Sequence, residues 1–155
     1  PKVKKRTSFP WAFNALALAS LARVTTSFLY LISLSMKPYQ DARVEGEKLA
    51  KQYAELEKAD QVDFYNGLEG YYSVLGHNKK QEAIAVLIEK NDHKIYVYQL
   101  DKGISQDKAA TISREKGASD IDKITFGRYQ DKPIWEVKSG NQYYLVDFET
   151  GAVIQ

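Results

Sequence analysis

Three sets of side chains in this sequence have the types and spacing to do chemistry. Ser105-Gln106-Asp107-Lys108 has the spacing S-x-x-K, which in penicillin-recognising acyl enzymes places a nucleophilic hydroxyl one helical turn from an amine. The partner motifs S-D-N and K-T-G are absent. A Ser followed by an acid in the next turn is also what a helix start requires, so Ser105 reads as an N-cap. His77 and His93 are the 2 histidines of the chain, and Asp92 adjoins the second. Two imidazoles and a carboxylate can hold a metal. Here both histidines fall in predicted turns without ligand spacing, and no metal is expected. Glu136 and Asp147 could form an acid–base couple. Asp147, however, precedes Glu149-Thr150-Gly151, and an Asp before a turn ordinarily accepts backbone N–H bonds. Both are expected to be structural. With 0 cysteines, thiol chemistry and disulfides are excluded. The residues point to no catalytic group, no metal and no cofactor.

Aromatic side chains offer more. The chain has 11 Tyr, several paired or alternating in strand-like stretches: Tyr71-Tyr72, Tyr96 and Tyr98, Tyr143-Tyr144. Adjacent residues of a strand point to opposite faces, so one ring of each pair is expected in the core and the other outside. Tyr72, Tyr98, Trp135 and Tyr144 are the expected exposed aromatics for binding a partner protein, with sugar stacking the lesser use.

The elements that must position these residues follow from periodicity. Val44, Leu49, Tyr53 and Leu56 recur at near-helical spacing, predicting a helix over 37–58. Short strands follow at 61–65, 71–76, 82–89 and 94–100, separated by Asn, Gly and Asp turn signals. A second helix runs from the Ser105 cap to Lys116, where Gly117 stops it. Strands at 122–129, 133–138 and 142–148 and a short last one at 152–154 complete the chain. The two stretches read as one plan used twice. Phe64-Tyr65 corresponds to Phe126-Gly127, and Tyr71-Tyr72-Ser73-Val74 to Ile134-Trp135-Glu136-Val137. Ala85-Val86-Leu87-Ile88-Glu89 then corresponds to Leu145-Val146-Asp147-Phe148-Glu149, and Ile95-Tyr96-Val97 to Ala152-Val153-Ile154. The fold class is α+β: two tandem units, 37–101 and 102–155, each a helix packed on an antiparallel meander. Each is near the size where a core becomes marginal, so they are expected to pack together.

The first 36 residues differ from the rest. They hold Lys2, Lys4, Lys5, Arg6 and Arg23 and no acid, and the first acid of the chain is Asp41. Residues 11–36 are mostly apolar and long enough as a helix to span a bilayer core of ~30 Å. Trp11 and Tyr39 flank the run as interfacial aromatics, and the preceding cations place the N-terminus inside. Arg23 near the middle costs ~2.5–3.5 kcal/mol on an insertion scale, against ~0.3–0.6 kcal/mol returned by each Leu, Ile or Phe. The expectation is an uncleaved anchor in the cell membrane, with a cytoplasmic tail and an outer C-terminal domain. A signal peptide cleaved near Ala17-Leu18-Ala19 and a partly foreign segment are the alternatives. Beyond residue 36 the chain carries 17 basic and 20 acidic side chains. The positive excess belongs to the N-terminal end, which excludes a nucleic-acid interface on the outer domain.

Residues of the second unit also carry a family likeness. Gly103-Ile104-Ser105-Gln106-Asp107-Lys108-Ala109-Ala110, Gly117, Ile134-Trp135-Glu136-Val137 and Tyr144-Leu145-Val146-Asp147-Phe148-Glu149-Thr150-Gly151 resemble a PepSY-type domain. With the basic tail, the apolar run and a similar preceding unit, the chain resembles the TseB-like cell-wall elongation regulators of Gram-positive bacteria. That resemblance implies tandem cystatin-like units outside the membrane. It also implies a role in controlling peptidoglycan synthesis through a penicillin-binding protein or another cell-wall synthesis protein, with no catalytic residues to carry over. PepSY-type units also accompany secreted peptidases, so a protease-inhibitory or chaperoning module is the alternative.

Overall fold

The structure, a computed structural model, describes residues 10–92 and 94–154. The basic cluster between Lys2 and Arg6, residue His93, and the side chains of Trp11 and Tyr39 lie outside the described set. The chain divides into two compact units, Pro1–Asp41 and Ala42–Gln155.

Helix α1 runs Pro10–Tyr53, starting on a proline, whose fixed φ suits a first helical position. Pro38 lies inside it, where one backbone hydrogen bond is missing. In the first unit the large apolar side chains from Leu18 to Met36 are exposed. Thr25, Thr26, Ser33 and Ser35 each donate a hydroxyl hydrogen bond to a carbonyl three or four residues earlier. The helix expected over this stretch is present; among the described residues no helix is long and apolar enough to cross a membrane.

In the second unit α1 ends five residues before the expected Lys58. Glu55 takes φ +54, a left-handed conformation that closes a helix, and Leu56 opens a strand instead of continuing the apolar stripe. Four antiparallel strands follow in meander order: β1 Leu56–Asn66, β2 Gly70–Asn78, β3 Ala83–Glu89 and β4 Ile95–Gln99. One face of this sheet meets α1: Leu56, Val62, Val74, Ile84, Val86 and Ile88 pack with Ala50 and Ala54. The small alanines let the helix approach closely. The opposite face presents Tyr65, Tyr71, Leu75, Ala85 and Leu87 to a second core.

A 3-10 turn at Leu100–Lys102 leads to α2, Gln106–Glu115. The Ser105 hydroxyl accepts the Lys108 N–H at 3.1 Å, the N-cap read from the sequence. At the other end Gly117 takes φ +109, the Gly117 N–H donates to Arg114 O and the Ala118 N–H to Ser113 O. That pair of bonds is a Schellman stop. Strands β5 Lys123–Tyr129, β6 Lys132–Ser139 and β7 Gln142–Asp147 form a second antiparallel meander. The expected strand at 152–154 reduces to an isolated bridge between Val146 and Val153.

β5, the edge of the second sheet, lies against β1, β2 and β3 of the first. A Cβ on Gly127 would stand 2.5 Å from the Tyr65 ring, so the close approach of the sheets requires glycine there. One core runs through both, from Tyr65 and Leu87 to Phe126, Trp135, Val146 and Phe148, with Ala109 of α2.

Candidate functional site

β6 sorts its side chains by alternation. Trp135 and Val137 belong to one face and Ile134, Glu136 and Lys138 to the other. Trp135 is 2% exposed, rests edge-on against Phe126 at 4.9 Å, and donates its indole N–H to Ile104 O at 2.9 Å. It is a core residue that anchors the start of α2. This overturns its expected role as an exposed binding aromatic: of Trp135 and Glu136, it is the larger apolar ring that the core takes. Tyr72, Tyr98 and Tyr144 are half-buried. Tyr72 packs against Phe64 and Tyr98 against Phe126, while the Tyr144 hydroxyl donates to Gln142 Oε1 at 2.7 Å. These rings sit on different elements, Tyr72 against the core under α1 and Tyr98 and Tyr144 against the second core.

The opposite face of β6 lines a cleft of about 490 Å³ between the outer edge of β1 and the second sheet, bounded by Phe64, Asn66, Lys123, Thr125, Glu136, Lys138 and Tyr143. Register builds it. Lys123 stands opposite Lys138, which stands opposite Tyr143, and in the next row Thr125 stands opposite Glu136. Asp63 of β1 reaches across to Lys123 at 2.8 Å, and Gln61 Nε2 donates to Ile124 O at 3.2 Å and to Asp63. Burial raises the Glu136 carboxyl above its ordinary range, with Lys123 opposing the shift. Nothing in the sequence marks these residues as a group. Lys123 and Lys138 become neighbours only through strand pairing.

The other candidates resolve into structure. Asp147 accepts the Glu149 and Thr150 N–H groups at 2.9 and 2.8 Å through one oxygen. Burial opposes ionisation, yet those bonds hold its carboxyl below the usual range. Asp147 closes a turn and does not line the cleft with Glu136, so the two form no acid–base couple there. His77 lies in β2 rather than in the expected turn, and its Nδ1 is 2.8 Å from Asp60 Oδ2. Lys58 holds Asp60 below its ordinary range, helped by His77. Among the described residues no group of three or more His, Asp or Glu could hold a metal.

A second, half-buried polar cluster lies where the sheets meet. The Arg128 guanidinium lies over the Tyr96 ring at 4.2 Å and pairs with Asp131 at 2.8 Å. Burial works against its charge, but hydrogen bonds to the Tyr71 and Tyr98 hydroxyls keep it protonated well above the ordinary range. The Tyr71 hydroxyl in turn donates to Glu69. This cluster joins β5 to β2 and β4 and offers no open site.

Comparison with known proteins gives three findings. Residues 45–89, from the end of α1 through β3, match the model of the cell wall elongation regulator TseB-like domain. The chain is 32% identical over 160 residues, covering 98% of it and 96% of the relative, to a Bacillus subtilis (strain 168) protein described as a probable cell wall elongation regulator TseB. The solved structure of the YpmB protein from Bacillus subtilis superposes with a TM-score of 0.62 at 32% identity, covering 73% of this chain and 94% of that one.

Proposed function

The chain belongs to the TseB-like cell wall elongation regulators, and on that premise we propose that it is a non-catalytic, single-pass membrane protein whose outer part binds and regulates a peptidoglycan synthase of the penicillin-binding class. The observation that carries this reading is the similarity along 98% of the chain to a protein described as a probable cell wall elongation regulator. In this reading each helix and its meander is a cystatin-like unit, and the pair is a rigid surface for a protein partner.

Membrane attachment draws support from the first unit. Ten large apolar side chains between Leu18 and Met36 are exposed on α1, and no acid precedes Asp41. The Thr and Ser hydroxyls nearby are satisfied by their own helix, which lowers their cost in a bilayer.

The test is crosslinking in intact cells followed by purification of the full chain from membranes. A penicillin-binding protein should be recovered, and deletion should alter cell shape. Recovery of no cell-wall enzyme together with unchanged shape overturns the synthase reading. Digestion by external protease of residues beyond 42 in wall-stripped cells is expected from the topology, and their complete protection overturns it.

A further inference from the structure

The cleft beside β1 carries an imbalance that the fold itself does not explain. Lys123 and Lys138 are direct cross-strand partners, and like charges in that position destabilise a sheet. Only one of them is neutralised: Asp63 Oδ1 lies 2.8 Å from Lys123 Nζ, whereas Lys138 has no ion pair among the described residues. Two residues along the same strand and face, Glu136 is half-buried. An unpaired ammonium and a half-buried carboxylate thus line one cleft, on residues whose Cα positions are about 6.7 Å apart along the strand, twice the rise per residue.

A ligand that suits both carries a carboxylate for Lys138 and N–H donors about two extended residues away for Glu136, a spacing found at the end of a peptide. Alternative chemistries fit less well. Sugar recognition needs open ring faces, but Phe64 is occupied by Lys90 at 4.3 Å and by Tyr72, which leaves only Tyr143, 51% exposed. A phosphate polymer would bring several negative charges beside Glu136 and Asp63. A volume of about 490 Å³ falls within the ~300–1,000 Å³ usual for small-ligand sites.

We propose that this cleft binds the free carboxylate end of a short extended peptide, with the Lys138 ammonium on the carboxylate and Glu136 accepting from the peptide N–H groups. The proposal rests on the cleft alone and is independent of synthase binding. A wall stem peptide and a protein C-terminus share this chemistry and differ in the chirality of their last residues.

The experiment titrates the full purified chain in detergent with a pentapeptide ending in D-Ala-D-Ala, its L-Ala-L-Ala counterpart, and the C-terminal amide of each, read by amide chemical shifts and calorimetry. Shifts should centre on Lys138, Glu136 and Tyr143. The amides and the Lys138→Met variant should each bind about tenfold or more weakly, as expected for a lost charged hydrogen bond. Preference for the D,D or the L,L acid identifies the source, and binding of both supports the shared carboxylate site. Equal binding of acids and amides overturns the proposal, as does the absence of binding at millimolar concentration. Shifts centred away from β6, or tighter binding of a wall glycan lacking peptide, overturn it equally. The amide comparison needs no variant, so it decides the matter even if Lys138→Met misfolds.

Discussion

The Arg128 guanidinium stacks on the Tyr96 ring at 4.2 Å, so a cation from β5 rests on an aromatic of β4 across the junction of two sheets. Its hydrogen bonds to Tyr71 and Tyr98 extend the junction to β2. Replacing Arg128 with Met removes the cation and its bonds to the Tyr71 and Tyr98 hydroxyls, of which Tyr71 keeps Glu69. The expected cost is about 2–3 kcal/mol in urea unfolding. Asp131, 2.8 Å from the same guanidinium but 89% exposed at its side chain, provides the contrast. Asp131→Ala should cost less than ~1 kcal/mol, the range of surface ion pairs.

Trp135 should behave as a sealed fluorophore. Its emission is expected to be blue-shifted and shielded from iodide, because the ring is 2% exposed. Trp135→Phe loses the bond to Ile104 O and leaves a gap beside Phe126. A loss of about 2–4 kcal/mol is expected in chemical denaturation. Amide exchange in α2 should accelerate in the same variant, since that bond ties down the segment leading into the helix.

Gly127→Ala places a methyl 2.5 Å from the Tyr65 ring. Overpacking of this kind costs about 1–3 kcal/mol. Paired with Tyr65→Leu, which vacates the ring, the alanine should cost less than it does alone, and a double-mutant cycle of melting curves measures that coupling.

The pH dependence has two opposite limbs. Burial, with Glu136 and Tyr129 nearby, pushes the Tyr65 phenol up to about 12. A raised pKa means that the folded state holds its proton more tightly. Stability from Tyr65 is therefore complete below the ordinary phenol value near 10 and is lost as pH rises towards 12. The Asp147 carboxyl is lowered, so its contribution is present above the unfolded carboxylate value and is lost as pH falls through the folded one. Urea midpoints measured across pH should fall at both ends. Tyr65→Phe should make the alkaline limb shallower and leave the acid limb unchanged, and Asp147→Asn the reverse.

Much of this fold was legible because local chemistry and tertiary structure agree. Ser105 caps α2 and Gly117 stops it where turn chemistry demands, and both meanders follow alternating patterns. The end of α1 was hidden because Glu55, not Gly or Asn, adopts the left-handed conformation, while Tyr53 and Leu56 still keep helical spacing. Trp135 is covered rather than exposed: alternation sets neighbours on opposite faces without fixing which face is covered. The cleft was invisible for a different reason. Lys123 and Lys138 carry no motif, and their adjacency exists only through the β5–β6 register.

The fit of Tyr65 against Gly127 also sets a timetable for the growing polypeptide. The first sheet can complete its strand pairing and pack on α1 as soon as β4 has emerged, but Tyr65, Tyr71 and Leu87 wait for β5, which starts at Lys123 after β4 ends at Gln99. Until β5 arrives, that greasy flank faces whatever surrounds the nascent chain, and such surface invites clumping. A ribosome or translocation pore that stalls between β4 and β5 releases a sticky half-product. Maturation is thus safest when the last third of the chain follows without pause.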